Sequence, residues 1–86
     1  MHGIIEVTTN EQGSQVVSAR ELYQFLGLEI AHWKRWSIKN IENNPFAIEN
    51  TDWEGFTLMV NGNKTNDYAL SLDFSKRLAM MARDLQ

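Results

Sequence analysis

The chain predicts a small α+β domain, helix-turn-helix-like, with an N-terminal hairpin, a β-hairpin wing and a C-terminal helix. Three features carry that expectation. A capping-box pattern, Ser18-Ala19-Arg20-Glu21, opens a short helix that Gly27 closes. A second helical period starts about three residues later. Apolar runs on either side of Asn61-Gly62 then read as two strands meeting at a turn.

In order along the chain, Ile4 to Thr8 reads as a strand, because Ile4, Ile5 and Val7 supply β-branched surface. Asn10-Glu11-Gln12-Gly13 has turn chemistry, and Gln15-Val16-Val17 returns as the partner of a solvated edge hairpin. Ser18 is then a helix cap, its hydroxyl accepting from the Glu21 amide while the Glu21 side chain reaches back to the Ser18 amide. Leu22, Phe25 and Leu26 form one stripe of this first helix. From Ile30 to Asn43 a second helix places Ile30, Trp33, Ser37 and Ile41 on one face, widened by Trp36 and Ile38. Arg35 and Lys39 lie on the opposite face with His32 beside them, and Lys34 sits at the apolar edge. Asn43-Asn44-Pro45 ends this helix.

Residues Phe46 to Glu54 read as irregular and acidic, with Trp53 among them. Phe56 to Val60 and Tyr68 to Leu72 read as strands joined by a mobile seven-residue loop, Asn61 to Asp67, with Lys64 at the tip. The last helix starts near Asp73, capped by Ser71 or Asp73. It repeats Phe74, Leu78, Met81 and Leu85 as an apolar stripe. No Gly or Pro stops it before Gln86, and an uncapped amphipathic helix implies a longer parent chain.

Composition removes several chemistries. The 86 residues contain no Cys, so disulfides, thiolate metal sites and Cys nucleophiles are out. Only His2 and His32 are histidines, which excludes a His-rich metal site. No apolar run approaches the roughly 18–20 residues of a membrane span, so no membrane association is expected. The start lacks a basic region followed by an apolar one, so no secretory signal is read there. Net charge is −3, which excludes a uniformly basic DNA-coating protein but leaves room for a local basic face.

The candidate chemistry is binding. His32 is flanked by cations with no acid placed to orient it, the carboxylates are scattered singly, and Asn61-Gly62-Asn63-Lys64-Thr65 falls far short of a phosphate-cradling loop. No enzyme activity, cofactor or metal is expected. Two tight helices followed by a hairpin suit a DNA-contacting module, with His32, Arg35, Lys39 and Lys64 as the candidate nucleic-acid contacts. Three tryptophans in so short a chain point instead to a protein partner, with Trp36, Trp53 and Tyr23 as the candidate contacts. The marginal core and the uncapped last helix lead to the expectation of a homo-oligomer.

Four stretches resemble one family. Val17-Ser18-Ala19-Arg20-Glu21-Leu22-Tyr23-Gln24-Phe25-Leu26-Gly27 is similar to the opening of the AntA/AntB anti-repressor domain of bacteriophages and prophages, and Ile4 to Gly13 is similar to that family's start. Trp36-Ser37-Ile38-Lys39-Asn40-Ile41 resembles its second helix, with Ser37 a departure. Phe46 and Asn50-Thr51-Asp52-Trp53 resemble its middle stretch. Thr65 to Met80, including Asp67-Tyr68 and Asp73, resembles its last strand and helix. Ile30 to Arg35 departs from the pattern, and the basic segment that normally follows the last helix is not in this sequence. The resemblance implies one domain over residues 1–86, at the N-terminus of a longer phage protein in the bacterial host cytoplasm. It implies antagonism of a lysogeny repressor by protein–protein binding, favouring lytic induction. Direct DNA binding, or oligomerisation on behalf of a C-terminal effector, are the alternatives. The family brings no catalytic residues.

Overall fold

The computed structural model describes residues 5–84, with side-chain surroundings up to residue 82. The chain is α+β, as expected. Strands β1 (Val7–Thr9), β2 (Gln15–Ser18), β3 (Trp53–Val60) and β4 (Asn63–Ser71) form one antiparallel sheet in the order β1-β2-β4-β3. Val7, Val17, Leu70 and Trp53 are paired in register and so form one row across the sheet. Val17 and Leu70 are buried against the helices, so this row marks the covered face. The alternate row of Ser18, Ala69 and Glu54 faces the other way and holds no buried residue.

The N-terminal strand is shorter and later than its apolar pattern suggested. It covers Val7–Thr9, is exposed throughout and lies at the sheet edge, while Ile4 falls outside the described residues. The turn after it is held by the Asn10 side chain, which accepts from the Gln12 and Ser14 amides at 3.0 and 2.9 Å.

Helix α1 (Ala19–Phe25) begins at Ser18, whose Oγ accepts from the Glu21 amide at 3.2 Å. The reciprocal half of the expected capping box is replaced: the Glu21 carboxylate accepts from the Glu6 amide instead, at 3.4 Å. A second acceptor comes from across the sheet. Asp67 Oδ1 accepts from the Arg20 amide at 3.0 Å and the Tyr68 amide at 2.7 Å, and Oδ2 accepts from the Ser18 hydroxyl at 2.6 Å. Two of the four orphan amides of α1 are thereby satisfied, and a carboxylate sits at the positive end of the helix. The helix ends as Gly27 requires. With φ +77° there, the Gly27 amide reaches the Gln24 carbonyl and the Leu28 amide reaches the Tyr23 carbonyl.

The second helical segment is less regular than a single stripe implies. A 3₁₀ turn (Ile30–His32) leads into α2 (Trp33–Ser37), which widens into a π turn (Ile38–Glu42). The Asn40 side chain takes the Trp36 carbonyl at 3.0 Å, the acceptor an α-turn would offer to the Asn40 amide. The Asn43 amide then reaches back five residues to Ile38. Trp33, Ser37 and Ile41 are buried as expected, but Ile30 is 53% exposed because the tighter 3₁₀ turn rotates it off the stripe.

The second hairpin corrects two expectations. Asn61 at φ +53° and Gly62 at φ +82° form a two-residue turn, and pairing continues from Val60↔Asn63 to Trp53↔Leu70. Positive φ at both turn residues matches the twist of the flanking strands, which is why Asn-Gly nucleates so tight a connection. There is no seven-residue loop, and Lys64 lies within β4 in the second pair from the turn, opposite Met59. Trp53 opens β3 rather than lying in irregular chain.

Helix α3 (Leu72–Asp84) is capped by Ser71, whose Oγ accepts from the Phe74 amide at 3.1 Å, while Asp73 is exposed in the first turn. Its buried side is Phe74, Ser75, Leu78 and Ala82. The expected stripe therefore holds for Phe74 and Leu78 but not for Met81, which is 41% exposed, and Leu85 lies outside the described residues. Small Ser75 and Ala82 let the helix lie close to its neighbours.

Candidate functional site

Five aromatic rings form a continuous chain through the core. Centroids are 5.1 Å apart for Trp36–Tyr23, 5.3 Å for Tyr23–Trp33, 6.1 Å for Trp33–Tyr68 and 5.6 Å for Tyr68–Trp53. The sequence-predicted partner contacts occupy different places on this chain. Tyr23 is 1% exposed and its hydroxyl donates to the Glu29 carbonyl, so its ring braces the core instead of presenting a surface. Burial also raises the Tyr23 phenol above its ordinary pKa. Trp36 and Trp53 are half-buried at the two ends, and the structure does not bring them together. Tyr68 sits between, its hydroxyl donating to the Glu42 carboxylate; burial first and that bond second push its pKa up to about 12.

The candidate nucleic-acid contacts also separate. His32 is exposed, with Nε2 3.4 Å from the exposed Glu29 carboxylate. Arg35 and Lys39 are exposed on the outer side of the second helical segment. Lys64 instead lines a groove of about 330 Å³ between α2 and the β3–β4 hairpin, and the lysine it shares that groove with is Lys34. Arg20 stands at the same wall: Nη1 donates to Thr65 Oγ1 at 3.2 Å, and the guanidinium lies 5.5 Å from the Trp33 ring centroid. Sequence reasoning missed Arg20 and Lys34 as a pair with Lys64, because only strand register and the α1–β4 contact bring them together.

A second feature was missed altogether. Pro45, Phe46, Phe74, Arg77, Met80 and Met81 line an apolar groove of about 730 Å³ between α3 and the chain that follows the π turn. Phe46 is 79% exposed, Met80 64% and the neighbouring Ile48 63%. Arg77 holds the rim in place. It pairs with Asp52 at 3.3 Å, donates to the Phe46 carbonyl at 3.3 Å and covers the Phe74 ring at 5.1 Å. The available signal was Met80-Met81, two large apolar residues side by side on a helix that can bury only one face.

Among the described residues no group of three His, Asp or Glu side chains is placed to hold a metal ion, and no helix is long and apolar enough to cross a membrane. The surfaces on offer are thus an apolar groove, a cationic groove and two half-buried tryptophans. No curated protein and no solved structure matches the chain. A family model does match, that of the AntA/AntB antirepressor, over residues 17–84. That span holds the Ser18–Asp67 cap, the whole aromatic chain and both grooves, and it covers most of the sequence. On this match the chain belongs to the AntA/AntB antirepressor family, a regulatory family.

Proposed function

We propose that this domain antagonises a phage lysogeny repressor by binding it directly, favouring lytic induction, and that the groove beside Phe46, Met80 and Met81 is the contact. Family membership supplies the occupant, since an antirepressor acts on a repressor. The observation that carries the reading is the exposure of Phe46 and Met80 beside an apolar groove. Contiguous apolar surface of this kind marks interaction sites on soluble domains. Burying a Phe or Met side chain contributes about 1.5–3 kcal/mol each. Methionines adapt their shape to a partner, and Arg77 supplies a polar rim held in one orientation. Trp36 lies one turn before Asn40, which lines the groove, and serves as a marginal contact. Trp53, at the far end of the aromatic chain, plays a supporting part.

The test is prophage induction. Expressing the domain in a lysogen carrying its cognate prophage should raise phage release. Phe46→Glu with Met80→Glu should abolish that rise while leaving the melting temperature unchanged, since both side chains are exposed. Induction by the double variant equal to the wild type would refute the reading. So would loss of self-association in that variant, seen by sedimentation, with repressor binding intact: the groove would then be an interface between copies.

A further inference from the structure

We propose that the groove between α2 and the β3–β4 hairpin binds the phosphodiester backbone of duplex DNA, with Lys34 and Lys64 contacting phosphates. This is a second activity, separate from the apolar groove.

The two lysines come from different elements and line one groove, which Thr57 and Asn66 of the hairpin also line as hydrogen-bond donors. Among the described residues the ion pairs are His32–Glu29 and Arg77–Asp52, so Lys34, Lys64 and Arg20 have no carboxylate at pairing distance. Arg20 is fixed at the wall by Thr65 and by the Trp33 ring. Residues 30–41 also carry Arg35 and Lys39, both exposed, and no acidic residue, while His32 lies against the Glu29 carboxylate. In a chain of net charge −3, this concentration of cations creates a local field that attracts a polyanion. An adjoining hollow, lined by Glu42, Asp67 and Tyr68, limits the favourable track to the lysine end.

The floor of the groove selects among nucleic acids. Its aromatic residues are Trp33 and Tyr68, 6% and 2% exposed, and Arg20 lies over the Trp33 ring. No ring face is open for a base to stack on, which single-strand recognition relies upon. A duplex keeps its bases inward and offers phosphates, so the groove suits backbone contact without base readout. The expected Lys64 contact is retained, but its partner cation is Lys34 rather than Arg35 and Lys39.

Fluorescence anisotropy with a labelled 16-base-pair duplex tests this. At 150 mM salt the wild-type domain should bind with a dissociation constant of about 10⁻⁴–10⁻⁶ M, the range of non-specific binding, and more tightly at 50 mM. With two or three phosphates contacted, log affinity should fall against log salt with a slope of about −2 to −3. Lys34→Gln with Lys64→Gln should weaken binding about tenfold or more and flatten the slope by about 1.8, at roughly 0.9 for each lost contact. Lys76→Gln on α3 should change neither. The proposal is overturned by no duplex binding at 50 mM salt or by unchanged binding of the Lys34/Lys64 variant. Loss of the slope in Arg35→Gln with Lys39→Gln alone would move the contact to the outer helix face. Tighter binding of a single strand, or of polyglutamate with the same lysine dependence, would make the ligand something other than a duplex backbone.

Discussion

Replacing Asp67 by alanine should cost about 2–6 kcal/mol, because it strands two backbone amides at a largely buried site. Asp67 is 4% exposed and its carboxylate holds the Arg20 amide, the Tyr68 amide and the Ser18 hydroxyl. The hydroxyl can turn elsewhere, but the two amides cannot, and each buried donor left unsatisfied costs about 1–3 kcal/mol. Asp67→Asn separates the effects. Its remaining oxygen can still accept from both amides, and its NH₂ can donate to Ser18 Oγ, which already accepts from Glu21. That variant loses only the charge-assisted part of the bonds, about 1 kcal/mol. The assay is equilibrium urea unfolding followed by tryptophan fluorescence, read as a shift in midpoint at constant slope. An alanine variant within about 0.5 kcal/mol of the wild type would refute the reasoning. An asparagine variant less stable than the alanine one would refute it equally.

Two other perturbations probe local geometry and charge. Gly27→Ala should cost about 1 kcal/mol, because φ is +77° there while nothing crowds an added Cβ; an unchanged urea midpoint would show the helix end relaxing without strain. With the Tyr68 hydroxyl pushed up to about 12, the unfolded chain loses its phenolic proton first as pH rises above 10. The folded state should then lose up to about 1.4 kcal/mol per pH unit between pH 10 and 12, and Tyr68→Phe should flatten that fall. Urea midpoints at pH 8 and pH 11 read the difference.

Local chemistry was legible where one residue decides the backbone. Ser18, Gly27, Asn10 and Asn61-Gly62 each dictate a cap or turn through their own side chain or permitted φ, and each acts in the structure as that chemistry requires. The length of the second hairpin was not legible, because Asn63 to Asp67 are polar. What makes them a strand is pairing with Phe56 to Val60 across the tight turn and the long-range anchoring of Asp67 at α1, neither of which their polarity reveals. Ile30 and Met81 fit a 3.6-residue period on paper, yet a 3₁₀ entry turns one out and the drift toward Ala82 leaves the other at the margin. Tyr23 shows the limit for site prediction. An aromatic residue off the main stripe reads as surface until a second element, here Trp33 and Trp36, closes over it. The two grooves were invisible for the same reason, since each is walled by segments distant in the chain: the second helical segment and the hairpin in one, the stretch around Phe46 and α3 in the other.

The most direct measurement is calorimetric titration of the domain with its proposed repressor partner, repeated at several temperatures and at 50 and 300 mM salt. Recognition through Phe46, Met80 and Met81 should give a negative heat-capacity change and an affinity nearly independent of salt. Phe46→Glu with Met80→Glu should remove the binding. An affinity that collapses with salt, or one that survives that double substitution, would contradict a repressor contact at the apolar groove.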